Sequence, residues 1–236
     1  MEASSNSIPK HVGIILDGNR RFAKKLMLKP WKGHEFGAEK VKKLLEWAKD
    51  VGIKELTLYA FSYENFNRPK KEFDYLMYLF RKEFDNLIDN KDIYKNKIKI
   101  SFLGRLYLFP KDIQERMYRI MDKTKNNDKY IVNFAMAYGG RAEIVDAVKR
   151  IGEKIKEENL DVKSINEKLF NDNLYMGDDA DLIIRTGGEK RTSGFLPWQG
   201  TYAELIFVDK SLPEFEKEDF LQCIKEFQSR KRRFGK

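Results

Sequence analysis

The residues best equipped for chemistry lie near the start of the chain, where positions 11–22 read HVGIILDGNRRF. Arg20 and Arg21 are fork-shaped donors matched to phosphate oxygens. Gly18 and Asn19 form a turn before a helix start, where backbone N–H groups point outward and suit an anion. Asp17 is out of place in such a cradle unless a divalent cation bridges carboxylate and phosphate. Taken alone, the stretch fits equally well a turn with a capping aspartate and two solvated arginines.

Positions 185–193 read RTGGEKRTS, a second glycine-rich basic loop. Arg185 and Arg191, with Ser193 beyond them, suit a second diphosphate. Glu204 stands at the start of an apolar run, where a carboxylate needs a cation or a basic partner. Between the loops, a helix expected over 72–88 carries Phe73, Leu76, Met77, Phe80, Phe84, Leu87 and Ile88 on one stripe, widened by Tyr75, Tyr78 and Leu79. So broad an apolar surface implies contact on more than one side. It is either sandwiched in a core or subunit interface, or part of it lines a greasy cavity. Two phosphate cradles, two separated carboxylates and this helix together point to a reaction between two diphosphates with hydrophobic tails.

The surrounding elements alternate. Strands are expected at 12–16, 56–61, 98–103, 130–137, 181–185 and 203–208, and helices at 22–28, 33–51, 72–88, 111–125, 142–158, 164–171 and 216–230. This order predicts an α/β fold: a single domain with about six strands in a mostly parallel sheet flanked by helices. Ligands then bind beyond the carboxyl ends of the strands, which is where the polar clusters 17–21, 62–68, 138–141 and 185–193 fall. No linker, repeat or low-complexity tract divides the 236 residues. Residues 1–10 read as a flexible N-terminus and 11–236 as the domain.

Composition narrows the partners. Forty-six Lys and Arg against 37 Asp and Glu give a net charge of +9, which favours phosphorylated metabolites, acidic lipid or nucleic acid. The single cysteine, Cys223, excludes an internal disulfide and a multi-cysteine metal site and fits a reducing compartment. No signal peptide is visible and no apolar run approaches the ~20 residues of a membrane span. A cytoplasmic protein with peripheral membrane contact is expected.

Taken together, 11–22, 58–69 (the latter containing SYENFNRP at 62–69) and 181–204, with RRFG at 232–235, resemble the cis-prenyltransferases, the family of undecaprenyl diphosphate synthase. The motifs run in the right order from about residue 9 to the C-terminus. The resemblance implies an enzyme that adds isopentenyl diphosphate repeatedly to an allylic starter such as farnesyl or geranylgeranyl diphosphate, making each new double bond cis. It also implies a hydrophobic tunnel, a homodimer and Mg²⁺. Carried over residue by residue, Asp17 is the essential metal-linked aspartate. Gly18, Asn19, Arg20, Arg21, Phe22 and His34 line the allylic diphosphate site. Ser62, Tyr63 and Glu64 belong to a mobile loop, with Asn65, Phe66 and Arg68 beside them. Asn65 is placed near the proton lost from isopentenyl diphosphate. Arg185, Arg191, Thr192 and Ser193 grip that substrate, and Glu204 is a metal ligand near the dimer interface. The residue types suit this chemistry: ionising an allylic diphosphate needs positive charge at the leaving group and a dry apolar space for the carbocation. An amide is a poor base, so pyrophosphate oxygen is expected to accept the proton while Asn65 positions it.

The chain departs from the family pattern in places. Pro30 stands where bacterial members carry an arginine, with Lys29 as the candidate replacement; Arg20 replaces a glycine, and Phe22 and Phe66 replace tryptophans. Product length is expected to depend on the tunnel floor, with Ala60, Met77, Phe102 and Tyr130 as contributors. The run 178–181, DDAD, lacks the spacing of a metal-binding aspartate pair and reads as a solvated loop. Two other classes are weighed against the enzyme. A non-catalytic partner subunit would lack parts of the site, which is complete here. A nucleic-acid-binding protein would need an aromatic stacking platform, which the sequence does not offer.

Overall fold

The computed structural model describes residues 7–230. Most of the expected N-terminal tail, and the RRFG at 232–235, lie outside the described residues.

Six parallel strands form one sheet: β1 (His11–Ile15), β2 (Glu55–Ser62), β3 (Ile98–Leu103), β4 (Tyr130–Tyr138), β5 (Leu182–Arg185) and β6 (Glu204–Phe207), in the order β3-β4-β2-β1-β5-β6. Every adjacent pair is parallel. The helices are α1 (Asn19–Lys25), α2 (Gly33–Val51), α3 (Lys70–Asp89), α4 (Lys91–Lys95), α5 (Lys111–Thr124), α6 (Gly140–Glu157), α7 (Glu167–Asn171) and α8 (Lys217–Ser229). Strand positions match expectation to within about two residues. α1 begins three residues earlier than expected, and the short α4 is an element beyond those the sequence predicts.

Alternation along each strand sorts side chains to opposite faces. Val12, Ile14, Leu56 and Leu58 join a large core with Leu44 and Trp47 of α2, Leu76 and Phe84 of α3, Ile113 and Met117 of α5, and Phe220 and Phe227 of α8. Ile15, Tyr59 and Ile183 face a smaller core around Met176, Phe195 and Leu196. Gly13 belongs to this thinner side, where an added Cβ would lie 2.9 Å from the Phe195 ring. Cys223 is buried in the large core, and burial pushes its thiol up to about 12.

Two side chains defy a simple inside–outside reading. Lys40 is buried on α2, paired with Glu216 at 2.7 Å and set over the Trp47 ring. In the 178–181 run, Asp178 and Asp179 are exposed as expected, but the Asp181 carboxylate accepts the backbone N–H groups of Lys10 and His11 and so fixes the entry to β1.

Candidate active site

Parallel strands bring Leu16 and Asp17 after β1, Ser62 at the end of β2 and Arg185 at the end of β5 to one edge of the sheet. The Asp17 carboxylate is the hub. Its Oδ2 accepts from Arg185 Nη2 at 2.9 Å and lies 3.1 Å from Arg21 Nη2, while Oδ1 accepts the Gly18 N–H at 2.6 Å. Burial pushes its pKa upward, but the Arg185 hydrogen bond, the Gly18 N–H and the charge of Arg21 outweigh this and hold it below the usual value. Asp17 is thus an anion at neutral pH. Thr186, fully buried, donates to the Asp17 carbonyl at 2.8 Å and accepts its N–H at 3.1 Å.

The turn depends on glycine. Gly18 has φ 99°, and a Cβ there would lie 2.5 Å from Ser211 Cβ. Asn19 is pressed between α1 and α2: a Cβ on Gly37 would sit 2.5 Å from its Oδ1. That Oδ1 is buried and has no hydrogen-bond partner.

A second group gathers where α1, α2 and α3 meet. Glu72, 2 % exposed, lies 3.2 Å from His34 Nε2 and 3.7 Å from Arg20 Nε, and it accepts from Arg68 Nη1. The His34 contact, then the charges of Arg68 and Arg20 acting against burial, hold the Glu72 pKa at about 2. Burial above all, together with the charges of Arg68 and Arg20, lowers the His34 pKa despite Glu72, so its imidazole is neutral at pH 7.

The loop after β2 is a 3₁₀ turn (Tyr63–Asn67) closed by a reciprocal cap. Asn65 Oδ1 accepts the Ser62 N–H at 3.0 Å. Because an N–H must meet the amide oxygen, the Asn65 NH₂ is left as the donor available to the adjoining cavity. Phe66 packs among Phe61, Phe73 and Phe109. Tyr63 is partly exposed, with the Arg105 guanidinium over its ring.

In the second loop, Arg185 is 5 % exposed and donates from Nη1 to Ser193 Oγ at 2.9 Å and to the Arg191 carbonyl at 2.5 Å. Its Nε is buried without a partner. Glu189 pairs with Arg191 at 2.6 Å and with Arg21 at 3.6 Å. Five arginines (20, 21, 68, 185 and 191) therefore share three carboxylates (17, 72 and 189), leaving a positive excess for anionic ligands.

These groups open onto two connected spaces. A polar pocket of about 360 Å³ is lined by Asp17, Gly18, Asn19, Arg20, Arg21, Lys24, His34 and Arg68. It shares Asp17, Asn19, His34 and Arg68 with a cavity of about 680 Å³ that also reaches Asn65, Arg185, Arg191 and Ser193. That cavity runs between α2 and α3 over β2 and β4, along Val41, Leu45, Ala60, Phe84, Leu87 and Met136. A charged mouth leads into a mainly apolar interior, whose lining also includes the Lys42–Glu83 ion pair between α2 and α3.

The structure therefore brings together Asp17, Gly18, Asn19, Arg20, Arg21, His34, Ser62, Glu64, Asn65, Arg68, Arg185, Arg191 and Ser193. It places others elsewhere. Phe22 lies edge-on to Phe36, and Phe66 and Tyr63 pack as described; none of the three, nor Thr192, lines either space. Lys29 sits over the Trp31 ring and away from the polar pocket, to which Lys24 contributes instead. Of the floor residues, Ala60 lines the cavity, whereas Met77, Phe102 and Tyr130 do not; Tyr130 lies at the opposite end of β4, with Lys54 and Lys129 over its ring.

Glu204 does not join Asp17. It is the first residue of β6, in register with Leu182, while Asp17 follows the far end of β1. Its carboxylate pairs with Arg230 at 2.7 Å. Within one chain, the expected two-carboxylate metal site is not formed. No cluster of three metal-binding side chains occurs among the described residues. One carboxylate beside an anion pocket nevertheless fits Mg²⁺, which keeps most of its waters and takes its other ligands from substrate phosphates.

Sequence reasoning passed over Glu72, Glu189, Thr186 and Gly37. The spacing of Arg68 and Glu72, four apart across a helix start, was the available signal for one of them.

The family model for undecaprenyl diphosphate synthase matches residues 15–235. Two curated relatives carry the name tritrans,polycis-undecaprenyl-diphosphate synthase (geranylgeranyl-diphosphate specific). The protein from Methanocaldococcus jannaschii is 46 % identical over 235 residues, covering 98 % of this chain and 84 % of the relative. That from Methanopyrus kandleri is 47 % identical over 231 residues, covering 97 % and 85 %. Among solved structures, lavandulyl diphosphate synthase from Lavandula x intermedia, in complex with dimethylallyl diphosphate, superposes with a TM-score of 0.91 at 32 % identity, covering 97 % of this chain and 99 % of that one. A probable undecaprenyl diphosphate synthase of Campylobacter jejuni gives a TM-score of 0.80 at 35 % identity, covering 98 % and 100 %.

Proposed function

The chain belongs to the undecaprenyl diphosphate synthase family, the cis-prenyltransferases, and from that premise we propose which substrates, metal and residues carry its reaction. The activity is cis-prenyl chain elongation from an allylic diphosphate. The preferred starter is geranylgeranyl diphosphate and the product an undecaprenyl-length chain. This is supported by the names of relatives near 46 % identity and by a cavity that continues well past the charged mouth.

The observation that carries the assignment of roles is the junction itself: five arginines and one anionic aspartate at the mouth of an apolar cavity. The allylic diphosphate sits in the polar pocket with Arg20, Arg21, Arg68 and neutral His34, its tail directed between α2 and α3. Isopentenyl diphosphate is held by Arg185, Arg191 and Ser193. Asp17 would hold Mg²⁺, and the ion would supply charge neutralisation at the pyrophosphate group. Guanidinium groups, fixed in place before substrate arrives, stabilise the charge that develops as the C–O bond breaks. The apolar walls keep water from the carbocation. Asn65 points its NH₂ toward a phosphate oxygen and orients isopentenyl diphosphate, and pyrophosphate oxygen accepts the departing proton. Asn65→Ala is expected to lower kcat at least tenfold; unchanged turnover would remove Asn65 from the mechanism.

A homodimer and peripheral membrane contact complete the proposal. Glu204, on edge strand β6, is assigned a metal role near the dimer interface, where it would have to exchange Arg230 for the cation. No helix among the described residues is long and apolar enough to cross a membrane. Starter choice is tested by competing farnesyl and geranylgeranyl diphosphate at equal concentration with labelled isopentenyl diphosphate. A higher kcat/KM for geranylgeranyl diphosphate is expected, and a clear preference for the shorter starter would overturn that part of the proposal.

A further inference from the structure

The turn after α1 exposes three consecutive apolar side chains. Met27 is 95 % exposed, Leu26 47 % and Leu28 41 %. Single exposed apolar residues are ordinary, but a run of three at a loop tip is not. The turn is built rather than frayed. Leu26 N–H donates to the Phe22 carbonyl at 3.2 Å, Met27 N–H to Lys24 at 3.0 Å and Leu28 N–H to Ala23 at 2.9 Å. Met27 also holds φ 54°, a left-handed position that glycine or asparagine usually fills at a helix end. Folding therefore gains nothing from a methionine there: its backbone is strained and its side chain is in water.

Along the chain, the charge on either side of the tip has one sign. Between Gly18 and Glu35 the chain carries Arg20, Arg21, Lys24, Lys25, Lys29 and Lys32 and no acidic residue. Lys25 and Lys32 have carboxylate partners in Glu214 and Glu35. Among the described residues, Lys24 and Lys29 have none within 4 Å. Lys24 also lines the polar pocket, so the tip stands two residues from the mouth of the site.

We propose that the turn at 26–28 is a membrane-docking tip, its apolar side chains entering an anionic bilayer while Lys24 and Lys29 meet the headgroups. The charge complementarity decides the occupant. A protein partner would ordinarily meet an apolar centre with a rim of mixed sign, whereas here Glu214 and Glu35 are taken up by Lys25 and Lys32 and the charges left over among the described residues, Lys24 and Lys29, are both positive, which matches anionic lipid. Docking here sets the pocket mouth at the bilayer surface. That placement rests on the prenyltransferase reading, since its product is a lipid too apolar to leave into water.

The test is co-sedimentation of the full chain with vesicles of phosphatidylglycerol and phosphatidylcholine, or of phosphatidylcholine alone, without substrate. Binding to the anionic vesicles is expected, weakening as salt rises. Met27→Asp should weaken it by about tenfold or more, the loss expected for an inserted methionine side chain. Lys29→Glu should weaken it further at low salt. Met27→Gly relieves the left-handed backbone, so it should fold at least as stably while also losing vesicle affinity. Met27 lines neither pocket, so activity of its two variants on a starter dispersed in detergent should be unchanged. Equal binding to both vesicle types, or wild-type binding by Met27→Asp and Met27→Gly, would overturn the proposal. So would failure to bind either vesicle, and a self-association that Met27→Asp abolishes would then make the tip a contact between copies. Vesicle binding is read without turnover, so its failure leaves the assignment of the reaction untouched, and the reverse also holds.

Discussion

Replacing Glu72 by glutamine removes the one negative charge that His34, Arg68 and Arg20 share. The carboxylate is 2 % exposed and its pKa sits at about 2 instead of 4.5. Such a shift corresponds to about 3 kcal/mol of preference for the ionised form in the folded protein. Glutamine retains the shape and one acceptor, so the net loss at pH 7 should be about 1–3 kcal/mol. The sign is fixed by the direction of the shift. A carboxyl whose folded pKa is depressed contributes its full stability above the unfolded value and loses it as pH falls through the folded value. The gap between wild type and Glu72→Gln should therefore be complete above about pH 5 and shrink between about 4.5 and 2. Urea unfolding of both proteins at pH 7 and at pH 3 measures it. A gap of the same size at both values would show that Glu72 contributes shape rather than charge. No gap at pH 7 would refute the ion-pair reasoning altogether. In the same variant, KM for the allylic starter should rise, because Arg68 and His34 lose the group that orients them.

Three further perturbations probe separate parts of the site. Gly37→Ala puts a Cβ 2.5 Å from Asn19 Oδ1; it should cost about 1–3 kcal/mol and raise KM for the allylic substrate, read by denaturation and steady-state kinetics. Arg185→Met removes the hydrogen bond that most lowers the Asp17 pKa, so the acid limb of kcat/KM should move to higher pH, alongside a large loss of rate. Phe84→Ala enlarges the cavity that Phe84 lines together with Leu45 and Leu79. It should shift products to greater length while costing about 3–5 kcal/mol, and thin-layer separation of the dephosphorylated lipids would show the change.

The strands were legible because each is a short apolar run bounded by turn residues, and the polar loops at their carboxyl ends followed from parallel order. The start of α1 was not, because Asn19, Arg20 and Arg21 carry no apolar periodicity; what makes them helical is tertiary, the packing of Asn19 against Gly33 and Gly37 of α2. Tyr130 departs from expectation for a directional reason. It opens β4, while the cavity touches the same strand only further along, at Phe134 and Met136. Lys40 reads as a solvated charge until Glu216 and Trp47 are brought to it from distant segments. Glu72 was hidden in the same way: its neighbours come from α1, α2 and the loop after β2, and a pattern along one helix does not record them. The residues that motif resemblance singles out and the structure brings together lie at strand ends or in the helix turns and loops beside them, as with Asp17, Arg20, His34 and Arg185. Those missed were carboxylates and small residues that hold the arginines in place.

The most direct test of the central claim incubates the purified protein with labelled isopentenyl diphosphate, geranylgeranyl diphosphate and Mg²⁺, with Asp17→Ala beside it, and resolves products by chain length. The account requires a ladder ending at one dominant length, absent when the metal is chelated and absent in the folded variant. Undiminished elongation by Asp17→Ala, or no incorporation by the wild type with either geranylgeranyl or farnesyl diphosphate, would contradict it.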